Sequence, residues 1–172
     1  MLRITGAVMV FAACAAIGYG KGREYRRRIS ELLTIKKLIL MLRGEVRYAA
    51  APLPEAFDRI GEKTEHTFGI FLKNVSEELK RQPGKPLAEI WGQKLKTDLE
   101  GCVLAREDRK QLLQLGCELG YLDRDMQLST IDFYVEQLET TVGTLEKEQE
   151  KRSRVYNCLG VFAGIMINLV LL

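Results

Sequence analysis

The stretch DRDMQLSTIDFYVEQLETTVGTLEKEQEKRSRVYNCLGVFAGIMINLVLL, residues 123–172, decides the fold. Its first half places Leu128, Ile131, Val135, Leu138, Val142 and Leu145 at alternating steps of three and four, a single seam along a helix. Its second half, Val155 to Leu172, holds no charged residue. Between them Glu146 to Arg154 is too charged to bury, yet it contains no Gly or Pro to stop a helix. One long helix that begins in water and ends in lipid is the reading that satisfies all three segments.

Outward from that helix, the charge distribution repeats the division. Every Asp and Glu, and every Lys and Arg except Arg3, lies between Lys21 and Arg154. A highly charged middle is thus framed by two apolar ends. The middle is nearly balanced in sign, and its basic residues cluster next to the ends, with no aromatic interleaving of the kind that accompanies a nucleic-acid surface. No nucleic-acid partner is expected. Cys14, Cys102, Cys117 and Cys158 have no paired spacing, which argues against a disulfide framework or a zinc site.

Ile4 to Tyr19 is uncharged and about 24 Å long as a helix, short for a bilayer core of about 30 Å but extended at its rims by Arg3 and Lys21. Ala13-Cys14-Ala15 offers a small-residue cleavage site, so an exported lipoprotein or a secreted helical binding module is the alternative. The basic cluster Lys21, Arg23, Arg26, Arg27 and Arg28 after the run opposes export and favours an uncleaved anchor. With Lys151, Arg152 and Arg154 before the second apolar run, it orients the molecule: the middle cytoplasmic, both termini outside. Val155 to Leu172 spans about 27 Å. Gly160 and Gly164, with Asn168 nearer the far side, give it a face for packing another membrane helix.

The middle reads as helices throughout. The first, about Arg23 to Ala50, is continuous with the first span and carries a matching seam of Leu32, Ile35, Ile39, Leu42, Val46 and Ala49. Two seams rooted at the same membrane face predict an antiparallel stem; a membrane-bound regulatory coiled coil, pairing the seams between chains, is the rival use of them. Ala51-Pro52-Leu53-Pro54 ends the first helix. Shorter helices follow: Glu55 to Lys63; Thr67 to Arg81 with Phe68, Phe71, Leu72, Val75 and Leu79 on one face; one from Pro86 with Leu87, Ile90, Trp91, Leu95 and Leu99; and Arg106 to Gly120 with Leu112, Leu113, Leu115 and Leu119. Gly116 and Gly120, four apart, point to close approach by a neighbour at the first and a helix stop at the second. The fold class is all-α: a cytoplasmic antiparallel bundle of about six helices at residues 21–154, between transmembrane helices at residues 1–20 and 155–172.

Catalytic apparatus is not legible. Gly84-Lys85-Pro86 lacks the hydroxyl and backbone donor of a phosphate loop, and the single His, His66, sits at a helix start. Glu77-Glu78, Glu107-Asp108 and Glu146, Glu148 and Glu150 read as solvated faces. No enzyme activity, metal or cofactor is expected.

In order along the chain stand Gly44-Glu45-Val46-Arg47-Tyr48, Pro52-Leu53-Pro54-Glu55-Ala56, Pro86-Leu87-Ala88-Glu89-Ile90-Trp91, Leu115-Gly116-Cys117-Glu118-Leu119-Gly120, Asp123, Gln127, and Tyr156-Asn157-Cys158-Leu159-Gly160-Val161-Phe162-Ala163-Gly164. In order and spacing the chain resembles the stage III sporulation protein AB family, itself similar to the cytoplasmic domains of type II secretion and type IV pilus platform proteins. The resemblance implies a non-enzymatic platform in the channel apparatus between mother cell and forespore, in the mother-cell membrane around the forespore. The implied partners are a motor ATPase, the family's protein AA, other channel membrane proteins and membrane lipid. The candidate contact residues are Glu45, Tyr48, Leu53, Glu55, Gly116, Gly120, Asp123 and Gln127; self-association is left open.

Overall fold

Prolines and one π turn set where the helices change direction. The computed structural model describes the backbone of residues 2–49, 51–121 and 123–171, and the side chains of residues 23–49, 51–121 and 123–151. Helix α1 runs Leu2–Gly44 and passes into a π-helical segment, Glu45–Ala49. The others are α2 (Leu53–Glu62), α3 (Thr67–Arg81), α4 (Leu87–Asp98), α5 (Arg106–Leu119) and α6 (Arg124–Leu171). Pro52 and Pro86 occupy the N-cap positions of α2 and α4, where the missing N–H costs no helical bond. The turn after α3 closes at Gly84, whose φ of 103° is a conformation that side-chain-bearing residues avoid. All the described elements are helical, and α1 and α6 each run unbroken from the charged middle into an apolar end.

The chain divides into two compact units. One comprises Met1–Ile29 and Val142–Leu172. Within it Arg26 and Ile29 of α1 border the same surface depression as Glu146, Gln149 and Glu150 of α6, and Ile29, Val142 and Leu145 are buried. The other comprises Ser30–Thr141. Within it α2 packs on α3, α3 on α4 and α4 on α5. The segments of α1 and α6 in this unit run antiparallel, tied by Lys36 Nζ to Glu139 Oε1 at 2.8 Å and by Arg43 Nε to Asp132 Oδ1 at 2.6 Å.

Both seams are buried within one chain, which leaves little for a coiled coil between chains to use. Leu32, Ile35, Ile39, Leu42 and Val46 are buried, as are Ile131, Val135, Leu138, Val142 and Leu145. Three expectations need correction. Ala49, expected on the seam, is exposed, because the π segment adds a residue to the turn and rotates it off the seam. Leu113 is exposed, since it sits at the rim of the α4–α5 contact, its Cδ1 3.3 Å from where a Cβ on Gly92 would lie, while Leu112 and Leu115 are buried inside that contact. Asp108 is buried, not solvated, because its Oδ2 accepts the Ala105 N–H at 2.8 Å and caps α5.

The centre of the short helices is Trp91. Its ring lies edge-on to Phe71 at 4.7 Å and tilted to Phe57 at 5.7 Å, and its Nε1–H donates to Leu112 O at 2.9 Å. Offset and edge contacts of this kind add about 0.5–1.5 kcal/mol to the burial itself. Among the described residues no helix is long and apolar enough to cross a membrane. The side chains of the two expected spans, including Gly160, Gly164 and Asn168, lie outside the described residues.

Candidate functional site

Of the eight candidate contact residues, Glu45 and Tyr48 lie on the π segment, which packs on α2, and Asp123 and Gln127 lie at the start of α6, which is tied to that segment. The link is Arg124, the first residue of α6. Its Nε donates to Val46 O at 3.0 Å and its Nη2 to Arg47 O. These carbonyls belong to a helix end that has no further turn to accept from, and the guanidinium supplies the missing donors. Gln127, one turn later, donates from Nε2 to Leu119 O at 3.0 Å and does the same for the end of α5. Asp123 is the N-cap of α6: its Oδ1 accepts from Met126 N at 2.9 Å, and its carbonyl from Gln127 N at 2.8 Å.

The acidic candidates are engaged by the bundle's own cations. Glu45 lies 3.1 Å from Arg59 Nη1 and 3.5 Å from Lys63 Nζ, joining the π segment to α2. Glu55 meets Arg59 Nη2 at 3.8 Å, an exposed pair worth little by itself. Leu53 is half-buried. Tyr48 is different: it is 83% exposed, with Arg47 over its ring at 6.0 Å. Tyr121, in the α5–α6 turn three residues before Arg124, is 74% exposed, and Met126 is exposed as well. Large exposed aromatics beside a corner pinned by the Arg124, Asp123 and Gln127 hydrogen bonds are what a docking surface offers a partner.

Gly116 stands apart from this group. A Cβ there would lie 2.2 Å from the Trp91 ring, so the residue is a seat for the indole. At Gly120 a Cβ would lie 3.0 Å from Leu87 Cβ, while its φ of −74° is ordinary helix. The helix does stop there, with Gly120 as the C-cap of α5, and the same residue also admits a close approach of α4 to α5.

The sequence missed Arg124, Tyr121 and Met126. Arg124 bonds carbonyls 78 and 77 residues earlier, a relation with no local signature. It also missed a cluster beneath α3. His66 caps that helix, its Nδ1 accepting from Phe68 N at 3.2 Å, and its Nε2 faces Glu31 Oε2 at 3.2 Å. Cys102 lies near Glu31, Thr67 and Arg109. Burial, then the Glu31 carboxylate, pushes its thiol pKa up against the opposing pull of Arg109 and of the Thr67 hydrogen bond, which disfavours a thiolate nucleophile.

The comparisons agree with this architecture. A solved structure of a Stage III sporulation protein AB (SpoIIIAB) is similar at a TM-score of 0.65 and 22% identity, over 73% of this chain and 98% of the other, which shows the fold. No curated protein matches in sequence. The family model for Stage III sporulation protein AB matches residues 3–172. Matched over nearly its whole length, the chain belongs to the stage III sporulation protein AB family.

Proposed function

We propose that this protein is a non-enzymatic membrane platform in endospore formation, holding a cytoplasmic motor ATPase to the membrane components of the mother cell-forespore channel. The observation that carries the reading is the corner around Arg124, where Tyr48 and Tyr121 stand exposed beside hydrogen bonds that tie the π segment and the end of α5 to the start of α6. Such a corner offers apolar anchors at little ordering cost. The two uncharged ends, each continuous with a long helix and each flanked by basic residues, support anchoring by two spans with the bundle on the cytoplasmic side.

The test is binding of the full chain, in detergent micelles, to the protein AA-like ATPase. Tyr48→Ala and Tyr121→Ala each weaken binding about tenfold or more while leaving the melting temperature unchanged. Absence of any association between the unaltered protein and the motor, in micelles and in membranes of sporulating cells, would overturn the reading. Accessibility of the middle only from the cytoplasmic side, together with an intact amino-terminal mass, checks the two-span arrangement against the exported alternative.

A further inference from the structure

The Ser30–Thr141 unit has a face that the short helices do not cover. One side of its α1 and α6 segments is occupied: Glu31 meets His66, Glu45 meets α2, Gln127 meets the end of α5, and Tyr134 is buried beside Asp108. On the opposite side, beyond the Lys36–Glu139 and Arg43–Asp132 pairs, Leu33 is 44%, Leu40 41% and Phe133 59% exposed. Leu33 and Leu40 stand three before and four after Lys36, and Glu136 stands three before Glu139 and four after Asp132, so all border the row of ion pairs. The face is polarised. Its α1 edge carries Lys36, Lys37 and Arg43; its α6 edge carries Asp132, Glu136 and Glu139.

We propose that a second copy of this chain covers this face, related by a two-fold axis parallel to α1 and α6. That operation lays the basic α1 edge of each copy on the acidic α6 edge of the other. A two-fold axis across the helices would instead set α1 on α1 and α6 on α6, opposing like charges along both edges. Charge alone thus selects the parallel arrangement, which is also the one open to two copies rooted in one membrane. The ion pairs fix the register, since they are seven residues apart on both helices. Leu40 of one copy then comes level, within two residues or about 3 Å, with Phe133 of the other, and Lys37 within about the same distance of Glu136. Lys37 and Glu136 form no ion pair among the described residues, so both are available to a partner. Phe133 and Leu40 supply the apolar anchor, and the charges fix the orientation.

The experiment is self-association of the full chain in detergent micelles, followed by sedimentation equilibrium without any motor, so that it stands or falls apart from the motor contact proposed above. The unaltered chain dimerises, and Phe133→Ala raises the dissociation constant about tenfold. Lys37→Glu and Glu136→Lys each weaken the homodimer several-fold. An equimolar mixture of the two single variants recovers affinity close to that of the unaltered chain, because each exchanged charge meets its exchanged partner across the interface. Circular dichroism identical to the unaltered chain certifies the fold of each variant. A monomeric chain at tens of micromolar, as expected if another protein covers the face, overturns the proposal. So does a dimer indifferent to Phe133→Ala and to both charge reversals.

Discussion

Replacing Gly116 by Ala tests whether the core is organised around the indole of Trp91. The new Cβ would sit 2.2 Å from Trp91 Cδ1 and Cγ and 2.4 Å from Cδ2. The ring has nowhere easy to go, because Phe57 and Phe71 hold its faces and edge and Leu112 O holds its Nε1. Overpacking costs about 1–3 kcal/mol. If the ring moves, a buried donor and carbonyl part, which costs about 1–3 kcal/mol more. Against this stands a gain of about 1 kcal/mol from replacing Gly by Ala in a helix. The net is a loss of about 3 kcal/mol, or about 10 °C in melting temperature for a unit of this size. Thermal denaturation by far-UV circular dichroism reads the loss, and the near-UV signal of the single Trp reads the displaced ring. Gly143→Ala, in α6 with nothing within 4 Å of its added Cβ, is the matched control and gains up to about 1 kcal/mol. A Gly116→Ala protein as stable as the parent, with its tryptophan spectrum unchanged, would refute the reasoning.

Arg124→Ala removes both bonds to the π segment and destabilises by about 1–2 kcal/mol, with faster hydrogen exchange concentrated in residues 45–49. Asp123→Ala strips the α6 cap and costs about 1 kcal/mol in denaturant titration, while Asp123→Asn retains most of it. Burial, and then the Asp108 carboxylate, pushes the Tyr134 pKa well above its ordinary 10.0. A group whose folded pKa is raised contributes stability that is present below pH 10 and is lost as pH climbs above it toward the folded pKa. Tyr134→Phe therefore flattens the alkaline limb of the stability profile above about pH 10, and removes a late-ionising component from the absorbance titration of the parent.

The helices were legible because their burial is periodic. Leu32 to Val46 and Ile131 to Leu145 are apolar at steps of three and four, and each step is a core contact. Leu38 and Tyr134 escaped that count since α1 and α6 each bury a stripe wider than a two-residue seam, one flank on the partner helix and one on the short helices. The π segment escaped because Glu45-Val46-Arg47-Tyr48-Ala49 carries no residue that forbids an α-helix; the carbonyl bonds of Arg124 favour the widened turn from outside. The candidate site was legible in part for a related reason. Glu45, Asp123 and Gln127 carry side-chain bonds that hold the π segment and the helix ends together, and the exposed groups near them in sequence are Tyr48, Tyr121 and Met126.

In the Ser30–Thr141 unit, α1 with its π-helical extension is joined to α6 at three levels: Arg124 to Val46 O, Arg43 to Asp132, and Lys36 to Glu139. Sliding one helix past the other by a single turn, about 5.4 Å, would part all three at once and lift both seams out of register. The pair is cross-braced against shear. A load applied where Arg124 sits cannot be absorbed by one helix creeping along its neighbour, and the two must tilt or twist as one beam.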